Sequence, residues 1–81
     1  MIYPKILEAT AIDNYRLMIK FKTGEIKIFD VKPYIKGTWF SQLKDTNLFN
    51  TVKPCFNTVE WCNGQDIAPE DLYELSQPYA T

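Results

Sequence analysis

The sequence predicts an α+β fold: an N-terminal three-stranded antiparallel meander, short helices packed on one face, one or two further short strands and a C-terminal helix. Three observations lead there. Residues 15–21 (YRLMIKF) and 25–29 (EIKIF) alternate apolar and polar side chains around Lys22-Thr23-Gly24, a β-hairpin pattern. Phe40 with Leu43, and Phe49 with Val52, recur at i and i+3, which suits short helices. Near the C-terminus, Pro69-Glu70-Asp71 followed by Leu72 reads as a helix start.

Residues 5–12 (KILEATAI) hold enough β-branched and apolar side chains to form a strand, and Pro4 is tolerable just ahead of it, where no ladder hydrogen bond is lost. Asp13-Asn14 supplies the turn into the hairpin. With Thr23 and Gly24 as a two-residue loop, Phe21 faces Ile26, Ile19 faces Ile28 and Leu17 faces Asp30, and that face is almost wholly apolar. The opposite face pairs Lys22 with Glu25, Lys20 with Lys27 and Met18 with Phe29. The wish to bury Leu17, Ile19 and Phe21 together pins the register.

Asp30 then acts as an N-cap, accepting an amide of Val31 or Lys32, and Pro33 sits in a first turn whose N–H needs no partner. A helical turn to Lys36 closes at Gly37. Two short helical segments follow, broken at Asp45-Thr46, either of which can cap the second. Their apolar residues cover the sheet face carrying Leu17, Ile19 and Ile28. Pro54 ends the helical region, Cys55-Phe56 and residues 57–61 are short strands, and Asn63-Gly64 turns the chain. In the last helix Pro69 occupies the first turn, Glu70 and Asp71 suit its positive end, and Ile67 staples to Leu72. Ala68 is a poor cap, so Gln65 or Asp66 is expected to serve the free amides.

At 81 residues, 46% hydrophobic and 15% aromatic, the chain supports one domain with a packed core and is no disordered segment. The size is marginal, with about 60–65% of the unfolded surface buried, so a protein partner or homo-oligomer is a natural supplement. No signal-like N-terminus and no run of membrane-span length occur, which sets the expected location as cytoplasmic, without a membrane. Cys55 and Cys62, in such a chain, are expected as reduced thiols and small buried apolar groups rather than a bridge. Charge is unevenly spread: residues 1–59 hold all nine basic groups against five acidic ones, and residues 60–81 hold five acidic groups and no basic one.

The sequence excludes more chemistry than it offers. Without histidine the usual general base, triad orienter and commonest zinc ligand are missing, two cysteines cannot make a four-ligand zinc site, and no glycine-rich phosphate loop occurs. The reading is therefore non-enzymatic, with no cofactor and no metal. Glu60, Asp66, Glu70 and Asp71 could gather into a hard-cation cluster, or Glu60, Asp66 and Trp61 into a small-ligand site, but helix-end electrostatics explains the carboxylates more simply. The candidate interaction face is Arg16, Lys20, Lys22, Lys27 and Phe29, basic groups beside an aromatic ring, which a single-stranded nucleic acid could use. That face could equally be solvated, or covered by the acidic C-terminal helix. With one ring on it and a net charge of −1, nucleic acid stays the second reading behind protein interaction.

Residues 61–73 (WCNGQDIAPEDLY) resemble a family of short bacterial proteins of unknown function whose pattern reads Trp-Pro-Asn-Gly-any-Asp-Leu-any-Pro-Asp/Glu-any-Leu-Tyr. Cys62 departs from the proline of that pattern. Phe21, Gly24, Glu25 and Phe29-Asp30-Val31, then Trp39-Phe40, Leu43 and Phe49, are similar in order and spacing. The resemblance implies a small α+β domain, found alone, fused to a helix-turn-helix domain, or encoded beside another small protein in an arrangement suggestive of a toxin–antitoxin pair. It implies no activity and no active-site residue. Trp61, Asn63, Gly64, Asp66, Pro69, Leu72 and Tyr73 stand as structural candidates: Trp61 as core, Asn63-Gly64 as turn, Asp66 as a backbone acceptor.

Overall fold

A computed structural model describes residues 3–79. Strands β1 (Ile6–Ile12), β2 (Arg16–Phe21) and β3 (Ile26–Asp30) form the antiparallel meander, and β6 (Gln77–Pro78) adds a short edge beside β3, giving the order β1-β2-β3-β6. A second ribbon pairs β4 (Lys53–Cys55) with β5 (Thr58–Glu60). Between the two lie α1 (Gly37–Phe40), a 3₁₀ turn (Ser41–Lys44) and α2 (Thr46–Phe49), and α3 (Pro69–Leu75) precedes β6. The α+β class and its meander, short helices and C-terminal helix agree with the sequence reading.

The turn between β1 and β2 is tight. Asn14 and Tyr15 both take φ of 56°, a conformation asparagine tolerates and tyrosine does not favour. Tyr15 is held there by its hydroxyl, which donates to the Lys44 carbonyl at 2.6 Å, and by an edge-on contact with Phe49 at 5.3 Å.

The hairpin corrects the expected register by one residue. The Phe21 N–H donates to the Glu25 carbonyl at 2.9 Å and Gly24 N–H to the Phe21 carbonyl at 2.9 Å, so the loop is Lys22-Thr23-Gly24. Leu17 therefore pairs with Phe29, Met18 with Ile28, Ile19 with Lys27 and Lys20 with Ile26. The cause is local. A two-residue loop of the favoured mirror type needs positive φ at its first central residue, which β-branched Thr23 resists, whereas a three-residue loop needs one such residue at its end, and Gly24 supplies it at φ 96°. The β2 alternation survives this change and the β3 alternation inverts. Phe29 and Val31 join Leu17, Ile19 and Phe21 in the core, while Ile26, Ile28 and Asp30 turn to the other face.

The core is one cluster, with Leu43, Phe49, Val59, Trp61, Ile67 and Leu72 laid against that sheet face. Asp45 caps α2 by accepting the Asn47 amide at 2.9 Å, and Asp30 accepts the Lys32 amide at 2.9 Å, both as expected of capping carboxylates. The turn after Asp30 spans only Lys32–Tyr34, and Gly37, with φ 76°, opens α1 rather than closing that turn. Pro54 lies inside β4, where an edge strand tolerates it, and Phe56 at φ 58° makes the turn into β5. Cys55 and Cys62 are free and exposed, against the expected burial, because β4 is a surface edge and Cys62 sits on an outer turn.

Candidate functional site

The changed register divides the expected interaction face. Arg16 and Lys20 are on the outer side of the sheet, Lys22 is in the hairpin loop, and Phe29 is 1% exposed in the core. Lys27 points to the core side, where its ammonium donates to the Tyr73 carbonyl at 2.9 Å and lies 3.8 Å from the centroid of the Tyr73 ring. α3 thus packs on the core face, with Leu72 buried and Tyr73 edge-on to Phe21 at 5.1 Å, and does not cover the outer face.

The outer face is set by the ladder. Reading across β1, β2 and β3, its rows are Glu8–Lys20–Ile26, then Thr10–Met18–Ile28 with Gln77 of β6 beyond, then Ile12–Arg16–Asp30. Ile26, Ile28, Met18 and Ile12 make an apolar diagonal through this lattice. Leu75, Pro78 and Tyr79 border an open groove of about 640 Å³ over its lower half, and a smaller hollow of about 240 Å³ covers the Glu8, Lys20 and Ile26 half. The charges at the corners are already answered within the chain: Arg16 holds Asp13 at 2.6 Å, Lys32 holds Asp30 at 3.1 Å, and Lys20 is 4.0 Å from Glu8. Sequence reading placed Ile28 inside and Phe29 outside, so most of these residues were missed. The signal that could have found them is Thr23, whose branching disfavours the shorter loop.

The C-terminal motif residues build a joint between the short helices, the β4–β5 ribbon and α3. Trp61 is buried and its indole N–H donates to the Phe49 carbonyl at 2.9 Å. Asn63 donates to Gln42 Oε1 at 2.9 Å, and Gly64, at φ 94°, lets the turn pass beside the Trp39 ring. Gln65 is wholly buried and donates both to the Trp39 carbonyl at 3.0 Å and to Gln42 Oε1 at 3.2 Å, its own Oε1 having no partner. It therefore does not serve the α3 amides as expected, and neither does the Asp66 carboxylate, so α3 starts at Ala68 without a side-chain cap. Asp66 is held by a backbone bridge to Glu60. Pro69 opens α3, and Leu72 and Tyr73 carry it onto the sheet. Gln65 had no signal in the sequence, since its partners lie 23 and 26 residues away.

Perturbed acidities belong to the same joint. The Glu25 carboxylate accepts from Tyr73 at 2.7 Å and Thr23 at 3.0 Å, which lowers its pKa below 4.5 and raises that of Tyr73. Tyr3 donates to Glu74, which pushes its phenol up to about 12. Tyr34, partly buried and bonded to Asp71, is also raised. All of these tie the ends of α3 down. Among the described residues no three His, Cys, Asp or Glu side chains gather as a metal would require, so Glu60, Asp66, Glu70 and Asp71 are not brought into one cluster. No helix among the described residues is long and apolar enough to cross a membrane.

Comparison with protein families matches residues 6–78 to the model of the protein of unknown function family DUF2442. The chain belongs to the DUF2442 family. The match runs from the first residue of β1 to the last of β6, so the whole meander, the joint and α3 are DUF2442 structure. No curated protein and no solved structure matches the chain.

Proposed function

We propose that this DUF2442 chain is a non-enzymatic protein-interaction domain of the cytoplasm, and at finer grain an accessory or antitoxin-like regulator. One observation carries the reading: half of the central sheet is left bare, apolar along its diagonal and self-neutralised at its corners. A small domain gains stability by covering such a face, which makes association with a protein favourable. The histidine-free sequence, and the use of the perturbed tyrosines and Glu25 as ties on α3, support the non-enzymatic reading. The regulatory part rests on the family resemblance and its toxin–antitoxin-like neighbourhood. Nucleic acid is disfavoured, since Lys27 and Phe29 leave the basic face and Arg16 and Lys20 have acidic neighbours.

The test is capture of the full-length tagged chain from its native host, together with co-expression of the neighbouring gene product. A stoichiometric partner that recurs across preparations supports the reading. Repeated capture of the chain alone, with the neighbour failing to co-purify, contradicts it.

A further inference from the structure

Resting on that interaction reading, we infer that the bare sheet face is the seat for one amphipathic α-helix of a partner protein, about three turns long, lying along the Ile26–Ile28/Met18–Ile12 diagonal.

The geometry selects the occupant. From Ile26 on β3 to Ile12 on β1 the diagonal crosses two strand spacings and two same-face steps along a strand, a span of about 16 Å. A helix rising about 1.5 Å per residue covers that with about eleven residues, and its width of about 10 Å matches the strip left between the paired charges. A second copy of this chain fits less well. The three-strand face measures only about 15 Å on a side, a fraction of the roughly 800 Å² that each side of a stable interface buries. An added strand is disfavoured too, because the β3 edge is taken by β6, with Tyr79 N–H on the Ile26 carbonyl at 2.9 Å, and the Ile6 amide on β1 is taken by the Phe56 carbonyl at 2.9 Å. β1 remains an edge strand beyond Ile6, and a strand added there is the outcome that the strand-patterned peptides below would report.

Charge narrows the chemistry further. Arg16, Asp30, Lys20 and Glu8 stand two on each side of the diagonal and sum to zero, and each has an oppositely charged neighbour within the chain. The seat therefore recognises an apolar stripe at i, i+4, i+7 and i+11 and does not select a charged one. Binding should depend little on salt, unlike binding of a polyanion.

The probe is a pair of displayed peptide libraries of about fourteen residues with equal composition, one patterned with helical periodicity and one with strand alternation. Both are selected on the immobilised full-length chain. Enrichment of the helical library alone is expected, with binding reduced at least about tenfold on Met18→Glu and on Thr10→Arg, unchanged on Lys22→Glu, and altered less than about twofold by physiological salt. Thr10 is exposed, so Thr10→Arg still decides the matter if Met18→Glu does not fold. Enrichment of strand-patterned peptides, no enrichment, or hits that bind both variants as well as the parent overturns the helix seat. So does a dimer in sedimentation that Met18→Glu dissociates. If a native partner is captured equally by the parent and Thr10→Arg, the interaction reading stands and this seat falls.

Discussion

Gly24 decides which residues of β3 face inward. At φ 96° it closes a three-residue loop, and no atom lies within 4 Å of where a Cβ would sit, so the cost of a side chain there is backbone strain alone. Gly24→Ala is expected to destabilise by about 1–2 kcal/mol in urea titration. Trp61 is decisive in another way: Trp61→Phe keeps much of the ring and leaves the Phe49 carbonyl with only the long bond from the Val52 N–H at 3.4 Å, an expected loss of about 1–2 kcal/mol by the same measurement. Glu25 sets a pH dependence. Its folded pKa lies below 4.5 because Tyr73 and Thr23 donate to the carboxylate, so the stabilisation is present above 4.5 and lost as pH falls through the lower folded value. Thermal melts across that acid range should show the loss in the parent and a flatter profile in Glu25→Gln. At this scale sequence reading succeeded where one residue acts on its neighbours, as with Asp30 and Asp45 as caps or Trp61 as core. It failed at Gln65, whose bonds depend on a fold-back of more than twenty residues, and at Cys55 and Cys62, whose exposure depends on which strand is an edge.

The elements were legible to the extent that their signals are local. Pro69 with the acidic first turn, and Ile67 stapled to Leu72, marked α3, and both apolar residues are buried as that staple implies. The hairpin strands were equally plain, yet their pairing was not, because two loop lengths differing by one residue both bury Leu17, Ile19 and Phe21. Only the φ demand on Thr23 separates them. α3 also has two kinds of apolar residue. Leu72 is wholly buried and Leu75 is 59% exposed beside the outer groove. Leu72→Ala should cost about 2–5 kcal/mol, and Leu75→Ala should stay within about 0.5 kcal/mol, as denaturant midpoints will show. Lys27 donates to the Tyr73 carbonyl and Tyr3 donates to Glu74, so α3 is anchored on the core side and its carboxylates are not laid over the outer basic residues.

At the scale of the molecule, α2, α3, the 3₁₀ turn before α2 and the β4–β5 ribbon contribute buried residues to a single core on one side of the sheet, α1 adds the partly buried Phe40, and the other side keeps Met18, Ile28 and Ile12 partly exposed. The proposed interaction role rests on this asymmetry. Met18 and Ile19 are adjacent in sequence and opposite in fate. Met18→Glu should melt close to the parent, whereas Ile19→Glu forces an unpaired carboxylate into the core and should leave the chain unfolded by circular dichroism.

Thiol labelling in a Cys55→Ser, Cys62→Ser background reads this asymmetry most directly, since both native thiols are exposed and their removal leaves the core untouched. Ile28→Cys and Phe29→Cys are compared for reaction with a small maleimide under native conditions. The bare outer face predicts fast labelling at 28 and strong protection at 29. Protection at 28 with fast labelling at 29 would restore the two-residue loop, put Ile28 in the core, and remove the surface on which the proposed partner sits.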